Sequence, residues 1–338
     1  MTRTRLAAAL VAGALATSAC AADAAPGSTG AAASADPGAA ASAAATAAAS
    51  VDNCGTEVPL GTAPARIVAV KSTTTELLIE LGLADRIVGA AFLDGPLEPP
   101  YTDDAVEVPV LSEFLPGQEA TLALEPDAVF AGWESGFAAD GVGERDDLAA
   151  RGVLTYVAPS ACKAPGYQPD PMTFDLLFDQ IAEAGEVFGA QDAATDLVAR
   201  LRDSLDAVEP DGRGLTALWY SSGTDAPYVG AGIGAPQMMM EAAGLTNVFA
   251  DVHDTWTSAT WEAVIDADPD VIVLVDASWN TAASKIEMLE DNPATAALSA
   301  VRAGAYLVVP FAGAEAGVRN AETVGSLVRQ LRTAAPED

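Results

Sequence analysis

"EATLALEPDAVF" at Glu119 to Phe130 and "EAVIDADPDVIV" at Glu262 to Val273 state one pattern twice. In each, a Glu stands seven residues ahead of a Pro-Asp pair, and an apolar, partly β-branched run follows. Proline ends a helix, and such a run favours a buried strand, so each segment predicts a short helix, a break and a strand. A Pro-Asp break before a strand is common in any α/β protein. The order of the flanking segments therefore carries the duplication: "ELGLADRIVGA" (Glu80 to Ala90) precedes the first copy and "EAAGLTNVFAD" (Glu241 to Asp251) the second. The pattern predicts two similar α/β lobes.

The rest of the chain fits that division. "RIVAVK" predicts a buried strand. "TTTELLIELGLADR" predicts a helix with Thr73 or Thr74 as its N-cap and Glu76 in its first turn. Strand and helix patterns then alternate through "RIVGAAF", "DAVFAG" and "RDDLAARGVLTYV", which implies a mostly parallel sheet. The period changes between Pro171 and Glu209. Leu177, Ile181, Ala184 and Phe188 recur on one helical face, and Leu197, Leu201, Leu205 and Val208 on another, with Asp170 placed to cap the first. The alternation resumes at Leu215. The expected organisation is a lobe at 53–169, a helical connection at 170–212 and a lobe at 213–334.

The first 52 residues have a different character. "MTRTR" followed by the ten apolar residues Leu6 to Leu15 predicts an export signal, too short to span a bilayer. "TSAC" then resembles the cleavage site of bacterial lipoproteins, which makes residues 1–20 the signal peptide and Cys20 the lipidated residue. An ordinary signal peptide cut near Ala19 or Ala22 is the alternative. Residues 21–52 begin with a stretch of Ala, Gly, Ser, Thr and Pro that can bury almost nothing, so they read as a disordered tether. The remaining cysteines, Cys54 and Cys162, are even in number on an exported chain. That predicts a disulfide, against the alternative of two free thiols.

Chemistry narrows the function. The net charge is −32, from 48 acidic and 16 basic residues, which excludes nucleic acid as a partner because phosphate binding needs clustered Lys and Arg. A single histidine, His253, cannot supply a transition-metal site, and no CxxC or HExxH motif occurs. "YSSG" lacks a GxSxG elbow, and "GAGIG" lacks the spacing of a dinucleotide fingerprint. No enzyme reading is favoured; an extracytoplasmic α/β enzyme is the least supported alternative.

An exported, tethered, two-lobed α/β chain with a helical connection resembles the substrate-binding lipoproteins of ABC importers. "RIVAVKSTTTELLIELGLADRIVGA", "LALEPDAVFAG", "YVGAGIGAPQMMMEAAGLTNVFAD" and "DPDVIVLVD" are similar to the helical-backbone class that captures cobalamin, haem and ferric siderophores. The resemblance implies two Rossmann-like lobes joined by a long helix and a monomer anchored on the outer face of the cytoplasmic membrane. It also implies an ABC permease as partner, docked through Glu119 and Glu262. "AGWESGF", "NVFADVHDTWTSATWEAV" and "FAGAEAGVRNAE" resemble a narrower group proposed to bind F-420-0, the glutamate-free precursor of the deazaflavin coenzyme F-420. A ferric siderophore or cobalamin is the alternative cargo.

A flat-ring cargo with an anionic tail needs aromatic plates, hydroxyl partners and a few cations. Loops after the carboxyl ends of strands are where α/β lobes place them. The candidates are Lys71, Ser72, Thr73 and Thr74 after the first strand, then Trp133 and Phe137 after "DAVFAG". Trp219, Tyr220 and Ser221 follow from "LTALWYSS", then Trp256 and Trp279 from later loops. Lys71, beside a hydroxyl-rich helix start, and Arg319, opening the last helix, are the candidate anion ligands. The alternatives are a solvent-facing Lys71 and an Arg319 paired with Glu315 or Glu322.

Overall fold

The computed structural model describes residues 49–97, 101 and 108–334. The expectations for the signal peptide, for Cys20 and for most of the tether fall outside them. A two-stranded hairpin, β1 (Ser50–Asn53) and β2 (Thr56–Pro59), opens the described chain. The first lobe contains β3 (Ile67–Val70), α1 (Ser72–Glu80), β4 (Ile87–Ala91), β5 (Val110–Ser112), α2 (Gln118–Leu122), β6 (Ala128–Ala131), α3 (Arg145–Ala149) and β7 (Leu154–Val157). Its five strands are all parallel, in the order β5-β4-β3-β6-β7. β3 and β6 are buried at every residue, as a parallel strand covered on both faces must be. Chain order reverses direction beside β3, so the loops leaving β3 and β6 open onto the crevice at the switch point.

Two helices follow without a strand, α4 (Phe174–Phe188) and α5 (Gln191–Asp206). Thr173 caps α4 by accepting the Leu176 N–H, and Gly189, left-handed at φ 68°, ends it. Asp170, expected at that cap, lies three residues outside and faces His253 at 3.3 Å. The buried face of α4 meets Phe130 and Tyr156 of the first sheet through Phe188, with ring centroids 5.1 and 5.8 Å away.

The second lobe holds β8 (Thr216–Ser222), β9 (Tyr228–Gly230), α6 (Ala235–Ala243), β10 (Thr246–Asn247), β11 (Trp256–Ser258), α7 (Trp261–Ala267) and β12 (Val271–Asp276). It ends with α8 (Ala282–Asp291), α9 (Ser299–Ala303), β13 (Tyr306–Pro310), α10 (Phe311–Ala314) and α11 (Asn320–Ala334). Its sheet runs β11-β9-β8-β12-β13. β8, β12 and β13 are parallel, whereas on one edge β9 pairs antiparallel with β8, and β11 antiparallel with β9.

The repeated Pro-Asp now has a physical explanation. Asp127 accepts the backbone N–H groups of Ala65 and Arg66, just before β3. Asp270 accepts the N–H and hydroxyl of Thr216 at the start of β8. In each lobe one carboxylate ties the incoming strand to the first strand of its sheet. The residues two positions earlier, Glu125 and Asp268, both take positive φ, at 48° and 39°. The same turn is therefore built twice.

The structure joins Cys54 to Cys162 across 108 residues. The hairpin is further fixed by Asn53, which bonds both backbone groups of Val157 and accepts from Arg145. The bridge thus pins the loop after β7, whose residues Ser160, Ala161 and Lys163 border the cavity described next.

Candidate functional site

A cavity of about 640 Å³ lies between the lobes. Its first-lobe wall includes Lys71, Thr73, Phe92, Asp94, Phe114 and Trp133, and its second-lobe wall Ser221, Tyr228, Trp256, Trp279, Phe311 and Glu315. The volume falls in the range of sites for drug-sized organic ligands.

Lys71 occupies the N-cap position of α1 with φ 92°, a strained backbone for a side chain with a Cβ. Its side chain is almost wholly buried (1% exposed). Its ammonium pairs with Asp94 and lies 4.0 Å from the ring centroid of Trp133, 4.6 Å from Phe311 and 4.7 Å from Phe92. A cation so enclosed gains from the ring faces as well as from the carboxylate. The stem passes Gly132 closely; a Cβ there would stand 2.9 Å from that of Lys71, which selects glycine. Lys71 is therefore neither a solvent-facing charge nor a loose anion ligand.

The two walls are tied across the cavity. The Trp133 indole N–H donates to Glu315 Oε1 at 2.7 Å. Lys163 donates to Thr255 Oγ1 at 2.7 Å and stands 3.7 Å from Asp254. Burial pushes the Glu315 carboxyl up to about 7, against the pull of Lys71, and the nearby Asp94 adds to the rise. Its folded pKa thus lies above the ordinary 4.5, and the folded chain holds the extra proton between those values. Stability therefore falls as pH rises from about 4.5 to about 7. Glu315→Gln should remove this slope. In thermal melts at pH 5 and pH 8, the variant gains several degrees on the parent at the higher pH; a constant difference would contradict the burial argument.

The expected site residues divide into two sets. Lys71, Thr73, Trp133, Ser221, Trp256 and Trp279 line the cavity. Ser72 instead accepts the Asp94 N–H, and Thr74 donates to the carbonyls of Val70 and Lys71. α1 therefore begins at Ser72, ahead of the expected threonine cap, and no side chain caps it. Phe137 packs against the second apolar cluster of the first lobe, 5.5 Å from the Arg145 guanidinium. Trp219 and Tyr220 are core residues, 0% and 1% exposed, because β8 runs on to Ser222 and only its last residues reach the cavity. Trp261 is likewise core, donating to the Thr224 carbonyl.

Arg319 holds neither Glu315 nor Glu322. It forms a two-point pair with the buried Glu76 of α1, with Nε to Oε2 at 2.8 Å and Nη2 to Oε1 at 2.5 Å, and it faces the Tyr101 ring at 4.9 Å. This links the start of α11 to the first lobe. Sequence reasoning missed Phe92, Asp94, Phe114, Tyr228, Phe311 and Glu315. The ends of β4 and β13 signal Phe92 and Phe311 by the strand-end rule already used for Trp133.

The rim is set by packing at a distance. Trp279 is 62% exposed and leans on Phe311 at 5.8 Å. Its turn is anchored from below by Lys285, whose ammonium donates to the carbonyls of Val275 and Asn280, each at 2.6 Å. Burial lowers that ammonium to about 8. Tyr228 stacks on Trp256 at 5.8 Å and 12°. Glu119 and Glu262 lie away from the cavity, each exposed in the first turn of a short helix, where a carboxylate complements the helix dipole.

The Periplasmic binding protein family matches residues 67–311, a span that covers both sheets and the connection between them. The chain belongs to this family. It is 24% identical over 232 residues to the uncharacterized ABC transporter substrate-binding lipoprotein YvrC of Bacillus subtilis, covering 67% of this chain and 68% of that one. It is 28% identical over 236 residues to a cobalamin-binding protein of Halobacterium salinarum, covering 66% of this chain and 57% of the relative. An ABC-type Fe3+-hydroxamate transport system protein of Saccharomonospora viridis superposes with a TM-score of 0.71 at 28% identity. That match covers 84% of this chain and 98% of the other. The names of these relatives describe binding and transport, and none of them names a reaction.

Proposed function

We propose that this protein is the extracytoplasmic solute receptor of an ABC importer, anchored through Cys20 and acting as a monomer. It captures an organic cargo between its lobes and releases it unchanged to a permease. One observation carries the reading: an aromatic cavity of about 640 Å³ whose walls come from two separate lobes. Such a cavity opens and closes by lobe motion rather than by breaking secondary structure. Turnover would need an activated nucleophile or an acid–base pair on a substrate. Here Trp133 is joined to Glu315 and Lys163 to Thr255 across the cavity, and Lys71 is committed to Asp94.

The cargo proposed first is F-420-0, on the strength of the "AGWESGF", "NVFADVHDTWTSATWEAV" and "FAGAEAGVRNAE" segments. Trp133, Trp256, Glu315 and the base of the Arg319 helix all fall within them. The flat ring suits plates such as Trp133, Trp279 and Phe311. A ferric siderophore or cobalamin is the second reading, favoured by the likeness to the Saccharomonospora hydroxamate-transport and Halobacterium cobalamin-binding relatives. Glu119 and Glu262 are proposed as the permease contacts, because exposed carboxylates suit reversible pairing with arginine.

Titrating the purified mature protein with F-420-0 should quench its tryptophan emission, with saturation at one equivalent. Flat fluorescence and flat calorimetry would reject that cargo, and saturation by a ferric hydroxamate or cobalamin instead would establish the second reading. Glu119→Arg and Glu262→Arg should leave the titration unchanged and lower uptake into cells by at least about tenfold together. Unimpaired uptake would remove both residues from the docking surface.

A further inference from the structure

The charged groups of the cavity are unevenly distributed in depth. At its inner end stand one ammonium and two carboxyls: Lys71, Asp94 and Glu315. Lys71 is already engaged by Asp94 and by three ring faces. Asp94 Oδ2 is buried and has no hydrogen-bond partner among the described residues, so the acid adds negative charge here that nothing beyond Lys71 offsets. At the mouth stand the exposed plates Phe114 and Trp279, 72% and 62% exposed, and Lys163, whose side chain is 59% exposed, beside the Glu134 carboxylate that accepts the Lys163 backbone N–H at 2.6 Å. The Lys163 pair with Asp254 is open to water and 3.7 Å long. Such a pair contributes little and exchanges readily for a better anion.

A phosphodiester or carboxylate at the inner end would lose its hydration and face two carboxyl groups across a single committed ammonium. Burying an anion without a free counter-charge is strongly unfavourable. An uncharged ring edge meets no such penalty. Its N–H or O–H can donate to the Glu315 carboxyl, and its carbonyl can accept the proton of that group. Stacking on Trp133 and Phe311 then holds the ring flat.

We propose that the inner end of the cavity receives a neutral, hydrogen-bonding ring edge of the cargo, while every anionic group of the cargo stays at the mouth beside Lys163. This rests on the receptor reading above and deepens it. For F-420-0 it orients the ring inward and the phosphodiester tail outward. The tail then contributes little to affinity, and length added beyond it is tolerated.

Two measurements test the proposal. The first compares F-420-0 with the same ring and sugar-alcohol chain lacking the phosphodiester. Dissociation constants within about fivefold support the proposal; a loss of 30-fold or more on removing the tail overturns it and leaves the receptor reading intact. If neither compound binds, the cargo assignment falls, and the second measurement decides the proposal without any cargo. It compares quenching by iodide and by neutral acrylamide in the ligand-free protein, with Trp133→Phe and Trp279→Phe variants resolving the two contributions. The iodide-to-acrylamide ratio at Trp133 should be at least threefold below that at Trp279, and Glu315→Gln should narrow the gap. Equal ratios in the parent protein would overturn the proposal, because an anion would then reach the inner end freely.

Discussion

Replacing Lys71 by methionine should destabilise the protein by about 3–5 kcal/mol, the typical cost of removing one partner from a buried ion pair. The Asp94 side chain is 4% exposed, so water cannot replace the lost ammonium. The three rings would also lose the cation they enclose, worth roughly 1–2 kcal/mol when desolvated. The loss should appear as a fall of about 10 °C in the melting temperature. A double variant separates charge from packing. Lys71→Met with Asp94→Leu removes both charges and should recover most of the loss, because a buried pair replaced by apolar groups is often neutral. If the double variant melted no higher than the single one, the pair would not be the source of the effect.

Arg319→Ala should be nearly as costly, by about 3–4 kcal/mol, and should also loosen the lobes. Glu76 is 1% exposed and receives two hydrogen bonds from the guanidinium. The pair joins α11 of the second lobe to α1 of the first, so its loss acts on the join as well as on local folding. Arg319→Lys keeps the charge but not the planar fork, and should recover less than half of the stability. Limited proteolysis should cut the Arg319→Ala protein faster in the segments between the lobes. Equal melting and proteolysis of parent and variant would show that the pair carries no net stabilisation.

Local chemistry made much of the fold readable. The two Pro-Asp breaks, the helical period of Leu177 to Phe188 and the pairing of Cys54 with Cys162 are written in short stretches or in simple counts. The helix starts were read less well. Thr173, not Asp170, caps α4, and α1 begins with no side-chain cap, because Lys71 is held there by the cavity rather than by local propensity. The antiparallel edge of the second lobe was not visible, since β9 and β11 are only three residues each.

The cavity was readable only in part, for a physical reason. Strand-end loops pointed to Lys71, Trp133 and Trp279, and all three line the cavity. The partners that define the chemistry come from far along the chain: Glu315 meets Trp133 across 182 residues and Arg319 meets Glu76 across 243. No periodicity reports such contacts. Trp219 and Tyr220 misled for the opposite reason. Aromatics beside "SSG" resemble a loop, yet the strand continues to Ser222 and buries both between covering helices.

The most direct test is mass spectrometry of what the folded region carries. The mature protein should be purified without denaturant from the cells that make it, then denatured, and the released small molecules identified. The account predicts one organic molecule with a flat conjugated ring, recovered chemically unchanged, and at least tenfold depleted from the Trp133→Ala protein. A carried molecule retained equally by that variant, or one released as a reaction product, would contradict a receptor that holds its cargo between the lobes.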